Sequence, residues 1–215
     1  MSALQVHQFP CLGANYGYLV HDADSGLTAC IDSPDAGAIQ RELAGQGWKL
    51  DYILNTHHHA DHAGGNLALK ARTGCSIVGA RADAERMPGI DVLVGDGDSF
   101  ALGKHNARII ETPGHTRAHI CYLFEADRAA FVGDTLFSMG CGRLFEGTAA
   151  QMFGNMQRLA ALPADTQVYC AHEYTQSNGR YARVAEPDNA AIAARMADVD
   201  QARLRGEATV PTTIA

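Results

Sequence analysis

The stretch Asn55–Gly65 reads "NTHHHADHAGG", with four histidines and an aspartate inside the six positions from His57 to His62. Ordinary core packing does not need so many imidazoles together. Neutral imidazole and carboxylate suit borderline and moderately hard transition metals such as Zn, Fe and Mn. The run follows "DYILNT" (51–56), a short apolar segment with β-branched character that predicts a buried strand. In extended backbone, alternate side chains point the same way. His57 and His59 can therefore grip one ion while His58 points elsewhere. Asp61 and His62 follow where the chain bends toward a helix, and can face a neighbouring position.

A closed set needs ligands from further along the chain. Three candidates share one context, a polar residue just after an apolar strand, where sheet proteins place their sites. "IIETPGHT" ends near His115, "AAFVGDT" near Asp134 and "QVYCAH" at His172. Taken singly, each has a plain reading as a hydrogen-bonded buried histidine or a turn-capping aspartate. Together with the 57–62 run they point to one metal centre on a shared sheet edge. His58 reads as packing or support for the ligands. His7, His21, His105 and His119 read as ordinary structural histidines.

The surrounding pattern is strands in runs with helices between them. "LQVHQF", "YGYLVHD", "LTACIDS", "CSIVGA", "DSFALG", "ARIIETP", "HICYLFE", "AAFVGD" and "TQVYCAH" all read as strands. Helical spacing predicts helices over 36–48, 64–74, 149–162, 178–186 and 189–206, with Gly74 closing the second and Pro163 stopping the third. The stretch around Pro88 and Gly95 reads as irregular. This places the chain in the α/β or α+β class, with sheets packed together and helices outside. A weak boundary falls near 174–188. Beyond it the chain is helical until the tail "ATVPTTIA".

The chain has 215 residues and a formal net charge of -7. That length suits one sizeable domain with a short appendage. The acidic balance, without any basic run, argues against nucleic acid as a partner. No apolar window is long enough for a membrane span, and the N-terminus lacks the pattern of a signal peptide. Six cysteines, Cys11, Cys30, Cys75, Cys121, Cys141 and Cys170, form no CxxC pair. They read as buried reduced thiols of a cytoplasmic protein.

"THHHADHAGG", "TPGHT", "GDTLF" and "HEYT" resemble the metallo-β-lactamase superfamily. "GCGRLFEGT" (140–148) and "CAHEYTQSN" (170–178) narrow the resemblance to the glyoxalase II family, the hydroxyacylglutathione hydrolases. The resemblance implies an α+β, four-layered αβ/βα sandwich over residues 1–174, with a short helical C-terminal segment over 175–215. It implies that His57, His59 and His115 bind one divalent metal, that Asp61, His62 and His172 bind a second, and that Asp134 bridges them, both ions being zinc or alternatively iron or manganese. It implies catalytic roles for Asp61 and Asp134 with a metal-bound hydroxide. The substrate would be S-D-lactoylglutathione, a 2-hydroxyacyl glutathione thioester arising in methylglyoxal detoxification, with Arg143 and Tyr174 holding glutathione.

Chemistry supports a thioester. A binuclear centre supplies hydroxide near neutral pH. A thiolate leaves unprotonated, because a thiol has a pKa of about 8.5, whereas an amide nitrogen does not. No general acid is evident among the motif residues. Phe145 departs from members with tyrosine there and loses that hydrogen bond. Family members continue past "VPTTIA", so a raised KM is expected of this chain. Competing readings are a β-lactamase of the same fold, an iron-dependent glutathione persulfide dioxygenase and a non-catalytic metal-binding module.

Overall fold

The computed structural model describes residues 2–215. Strands β1 (Gln5–Cys11), β2 (Asn15–Asp22) and β3 (Leu27–Ile31) form an antiparallel meander. Helix α1 (Ala36–Gln46) crosses to β4 (Tyr52–Leu54), which pairs parallel with β3. The short α2 (Ala60–Ala63) and then α3 (Asn66–Thr73) lead to parallel β5 (Ser76–Ala80), and β6 (Val92–Val94) completes a six-stranded sheet in chain order.

The second sheet starts with an antiparallel run of β7 (Ser99–Leu102), β8 (His105–Glu111), β9 (Ile120–Phe124) and β10 (Ala129–Gly133). A small hairpin follows, β11 (Leu136–Phe137) with β12 (Gly140–Cys141). Helix α4 (Ala149–Ala160) then carries the chain to β13 (Gln167–Cys170), parallel to β10. After α5 (Thr175–Ala185) and α6 (Ala190–Leu204), the two-residue β14 (Thr212–Thr213) returns to pair with β13. The tail thus adds an edge strand to the second sheet.

Side-chain alternation explains the layers. Along the first sheet Tyr18, Val20, Ala29, Ile31, Leu54 and Val78 face the second sheet and share a core with Ile109, Ile120, Tyr122, Phe124 and Phe131. Their neighbours one residue away, Leu19, Cys30, Ile53 and Ile77, face outward and meet Ile39 and Leu43 of α1 and Leu69 of α3. Strands covered on both faces need apolar residues throughout, as these have. On the far side, α4 brings Leu159 and Met156 against the second sheet's core. Its start is fixed by a capping box between Thr148 and Gln151. The result is the four-layered αβ/βα sandwich.

The helix expected over 64–74 is α3, which begins at Asn66, and the short α2 precedes it. Gly65 lies between them because the backbone passes against Ser33, where a Cβ would stand 2.7 Å from the Ser33 carbonyl oxygen. The stretch read as irregular contains β6, whose three residues are too few to show periodicity. The last two helices begin at Thr175 and Ala190.

The sheets are joined at the edge where the parallel strands end. The Ile120 amide donates to Thr56 O at 2.9 Å, and the Tyr16 amide to Ala171 O at 2.8 Å. The buried Tyr122 hydroxyl donates to Asn55 O at 2.8 Å, tying β9 to the chain leaving β4. Replacing Tyr122 by Phe strands that carbonyl and should lower unfolding free energy by about 1–2 kcal/mol. The check is a reduced denaturant midpoint at unchanged m-value.

Candidate metal centre

The chain reaches this joined edge from four strands. Asp32 follows β3, the 57–62 run follows β4, Asp134 follows β10 and His172 follows β13. His115 arrives from the loop between β8 and β9. Three donor groups result, each with its nitrogen or carboxylate atoms within 4.8 Å of one another: His57, His59 and His115; His57, His62 and Asp134; and Asp61, His62 and His172. All seven residues read from the sequence as candidate ligands are therefore brought together.

Asp134 lies between the groups. Its Oδ2 is 3.4 Å from His115 Nε2, while Oδ1 is 3.2 Å from His172 Nε2 and 3.5 Å from His62 Nε2. Asp61 Oδ2 is 3.6 Å from His172 Nε2 and 3.7 Å from His62 Nε2. His59 Nδ1 is 3.0 Å from His57 Nε2 and 3.1 Å from His115 Nε2. The buried atoms His62 Nε2 and Asp134 Oδ1 have no hydrogen-bond partner. Polar atoms this deep are normally satisfied, and a cation between them would satisfy both. The donor set fits a divalent metal.

The outward nitrogens of these rings are pinned. Asp32 Oδ2 is 2.8 Å from His62 Nδ1, and Asp32 also accepts the Thr56 amide at 2.7 Å and the Thr56 hydroxyl at 2.8 Å. Thr56 Oγ1 lies 3.0 Å from His57 Nδ1. Arg143 O accepts from His115 Nδ1 at 2.9 Å. Asn15 donates to Asp61 Oδ2 at 3.2 Å. The His172 ring stacks on Tyr174 with centroids 4.7 Å apart. Such partners fix ring orientation and the nitrogen offered to a metal.

His119 sits beneath. Its Nε2 accepts the Asp134 amide at 3.1 Å, and burial pushes its pKa down to about 3, which keeps the ring neutral. Close backbone approach is required here. A Cβ on Gly133, whose φ is +49°, would lie 2.6 Å from Thr56 Oγ1, and one on Gly142 would overlap Asp134 O. His58 joins none of the groups, and its Nδ1 lies 2.9 Å from Asp83 Oδ2. His7 meets Glu42, His21 stacks on Trp48 and His105 meets Asp127, all apart from these groups.

Electrostatics prepare the donors. Burial pushes the pKa values of His57, His59 and His115 down, so these rings stay neutral and free to ligate. Burial also opposes charge on His62, but Asp32, then Asp134 and Asp61, outweigh it and raise the pKa to about 9. Burial would raise the Asp134 carboxyl, yet His172, His62 and His115 hold it below the usual range.

Asp32 and Asn15 escaped the sequence reading. Asp32 obeys the same strand-end rule as Asp134, since "LTACIDS" places it directly after β3. Nothing in the sequence marks Asn15, whose role depends on an antiparallel bridge to His172.

Above the donors opens a cleft of about 420 Å³ lined by His59, Asp61, Asp134, His172, Arg143 and Tyr174, among others. The Arg143 guanidinium lies 4.9 Å from the Phe145 ring centroid and has no ion-pair partner among the described residues. All six cysteines are unpaired and five are buried. Cys141 differs from the expectation of buried thiols, because β12 carries it to the exposed cleft wall.

A family model described as the metallo-beta-lactamase superfamily matches residues 31–172, the class of protein that the paired sheets and donor groups define. A second, described as the hydroxyacylglutathione hydrolase C-terminus, matches residues 173–215. A hydroxyacylglutathione hydrolase of Maricaulis maris is 55% identical over 215 residues, covering 100% of this chain and 84% of the relative. One from Methylococcus capsulatus is 53% identical over 99% of this chain and 83% of the relative. Among solved structures, ETHE1 from Myxococcus xanthus is 33% identical with a TM-score of 0.71, covering 79% of this chain and 76% of that one. The chain belongs to the hydroxyacylglutathione hydrolase (glyoxalase II) family, and it is a metal-dependent hydrolase with a divalent-metal site.

Replacing Asp32 by Asn should weaken metal binding about 10–100-fold with the fold retained, measured by competition with a chromogenic chelator. Below the His62 pKa of about 9 a proton competes with the metal, so apparent affinity should fall as pH drops. Calorimetric titration in two buffers of different ionisation enthalpy should show proton release on binding.

Proposed function

We propose that the chain hydrolyses the thioester of S-D-lactoylglutathione and related 2-hydroxyacyl glutathiones to glutathione and a 2-hydroxy acid, in methylglyoxal detoxification. One observation carries this reading. A single cleft has the linked donor groups, with Asp134 between them, at its floor and a free cation, Arg143, with an exposed aromatic, Tyr174, at its rim. The names of the curated relatives point to the same reaction.

In this reading His57, His59 and His115 would hold one divalent ion, Asp61, His62 and His172 would hold the second, and Asp134 would serve both. Two ions are proposed, zinc being favoured by the His/Asp set and iron or manganese being accommodated by the same donors. When bound, they supply an acidified water and Lewis-acid stabilisation of charge on the acyl oxygen.

The chain's own groups then set geometry. Asp134, with its side chain 10% exposed, fixes the spacing of the two halves. Asp61 is 43% exposed and oriented by Asn15, so it can accept a hydrogen bond from the attacking water at the cleft floor. The floor histidines and carboxylates are all committed to the donor groups. A thiolate, which leaves without a proton, suits such a floor better than an amide.

Arg143 would pair with a glutathione carboxylate, and Tyr174 would pack along the tripeptide. Phe145 can stack but cannot donate a hydrogen bond. Residues 1–174 act as the catalytic domain, and the helical segment 175–215 adds Ser177 and Asn178 to the rim. Six unpaired cysteines and a glutathione substrate suit the reducing cytoplasm.

The test is thiol release from S-D-lactoylglutathione by metal-loaded protein, with metal content measured on the same sample. Asp134→Ala should reduce release to background. Arg143→Ala should raise KM about tenfold, the loss of one charge-assisted contact, with little change in kcat. Faster turnover of a β-lactam would overturn the reading. So would oxygen consumption on glutathione persulfide with one iron per chain.

A further inference from the structure

The loop from Arg143 to Gly147 carries the substrate-facing side chains, yet it has no helix or strand to hold it. It is fixed at both ends instead. At one end Arg143 O is 2.9 Å from His115 Nδ1. At the other, Glu146 receives both arms of Arg86, Nη1 at 2.5 Å and Nη2 at 3.0 Å, and the Arg117 amide at 2.7 Å. The Gly147 amide donates to Gly114 O at 3.0 Å. Arg143, Leu144 and Phe145 stand exposed between these anchors.

The Glu146 anchor continues inward. Arg86 Nε donates to Asp83 Oδ1 at 2.5 Å. Asp83 is only 2% exposed, and its Oδ2 lies 2.9 Å from Nδ1 of His58. A buried carboxylate requires a partner, and Arg86 is held in place by being that partner. Its planar fork leaves two parallel N–H groups for Glu146, a geometry that fixes direction as well as distance. The Arg86 hydrogen bonds hold the Glu146 carboxyl down to about 2, so it stays charged. His58 sits between His57 and His59 in the histidine run. The one histidine of the run that joins no donor group therefore stands against the buried root of the anchor, in contact with Asp83 but without a hydrogen bond to it.

We infer that Asp83, Arg86 and Glu146 are positioning residues that hold Arg143 and Phe145 at the cleft mouth. Isolated surface ion pairs contribute little. This pair differs because one arm is rooted on a buried carboxylate and the other bears the only side-chain ion pair of the loop among the described residues. The inference rests on the proposed function for the identity of the substrate, not for the coupling itself.

The test compares wild type with Glu146→Ala in the metal-loaded full chain. Backbone amides of 142–147 should exchange with deuterium at least about tenfold faster in the variant, and those of 57–62 at an unchanged rate. KM for S-D-lactoylglutathione should rise about fivefold to tenfold with kcat within about twofold. With the lactoyl thioester of N-acetylcysteamine, an uncharged thiol, kcat/KM should be unchanged within about twofold. Adding Arg143→Ala should raise KM no further than Arg143→Ala alone, because Glu146 acts through Arg143. Glu146→Gln, which keeps one acceptor for Arg86, should fall between. Unchanged loop exchange, additive penalties, or equal loss on the uncharged thioester would overturn the inference. A wild type inactive on the glutathione thioester would overturn the functional reading, while the exchange measurement would still decide the positioning role.

Discussion

The centre depends on one buried carboxylate with its two oxygens turned to different histidines. Asp134 faces His115 with Oδ2 and both His62 and His172 with Oδ1. A carboxylate at this depth is costly unless it is paired, and a cation held between it and the three imidazoles would supply the pairing. The surroundings serve that position. Gly133 turns the chain directly before it, in a space a methyl group would fill. Gly142 lets the next hairpin pass against its carbonyl. His119, neutral, accepts its amide.

The fold makes such a convergence possible because parallel strands end on the same side. β3, β10 and β13 each deliver one polar residue to one edge and β4 delivers the 57–62 run, and short backbone bonds between the sheets fix that edge. Support is graded outward from there. Asp32, Thr56 and Asn15 orient the donors, and Tyr174 stacks on His172. Further out, Asp83 and Arg86 reach the loop that displays Arg143 and Phe145. The donors sit on backbone fixed by the sheets, while Arg143 and Phe145 sit on a loop outside both sheets that is anchored by Glu146 and by the Gly147 amide.

Much of this was legible in order along the chain. The apolar runs before His57, Asp134 and His172 are strands because buried parallel strands need apolar residues on both faces, and the polar residue that follows marks where burial ends. Asp32 follows that rule as plainly as Asp134, yet a single aspartate in a turn carries no cluster around it to single it out. The helix over 64–74 is legible from its spacing and from Gly74, and only its start shifts, to Asn66, because Gly65 packs against Ser33. β6 leaves no mark in the sequence because three residues cannot show a period. The exposure of Cys141 is equally hidden, because a two-residue strand decides it.

By itself, the sequence determined the chemistry available: seven imidazole and carboxylate groups in the right types, four of them within six positions, and motifs specific enough to name the family. Residue type and local spacing carry that information, since donor identity is a property of the side chain. Only the tertiary structure decided which donors meet, that Asp134 stands between two groups, that Asn15 and Asp32 hold their partners, and that His58 turns away toward Asp83. Those facts depend on contacts between segments tens of residues apart, fixed by sheet register and close backbone packing rather than by any local pattern.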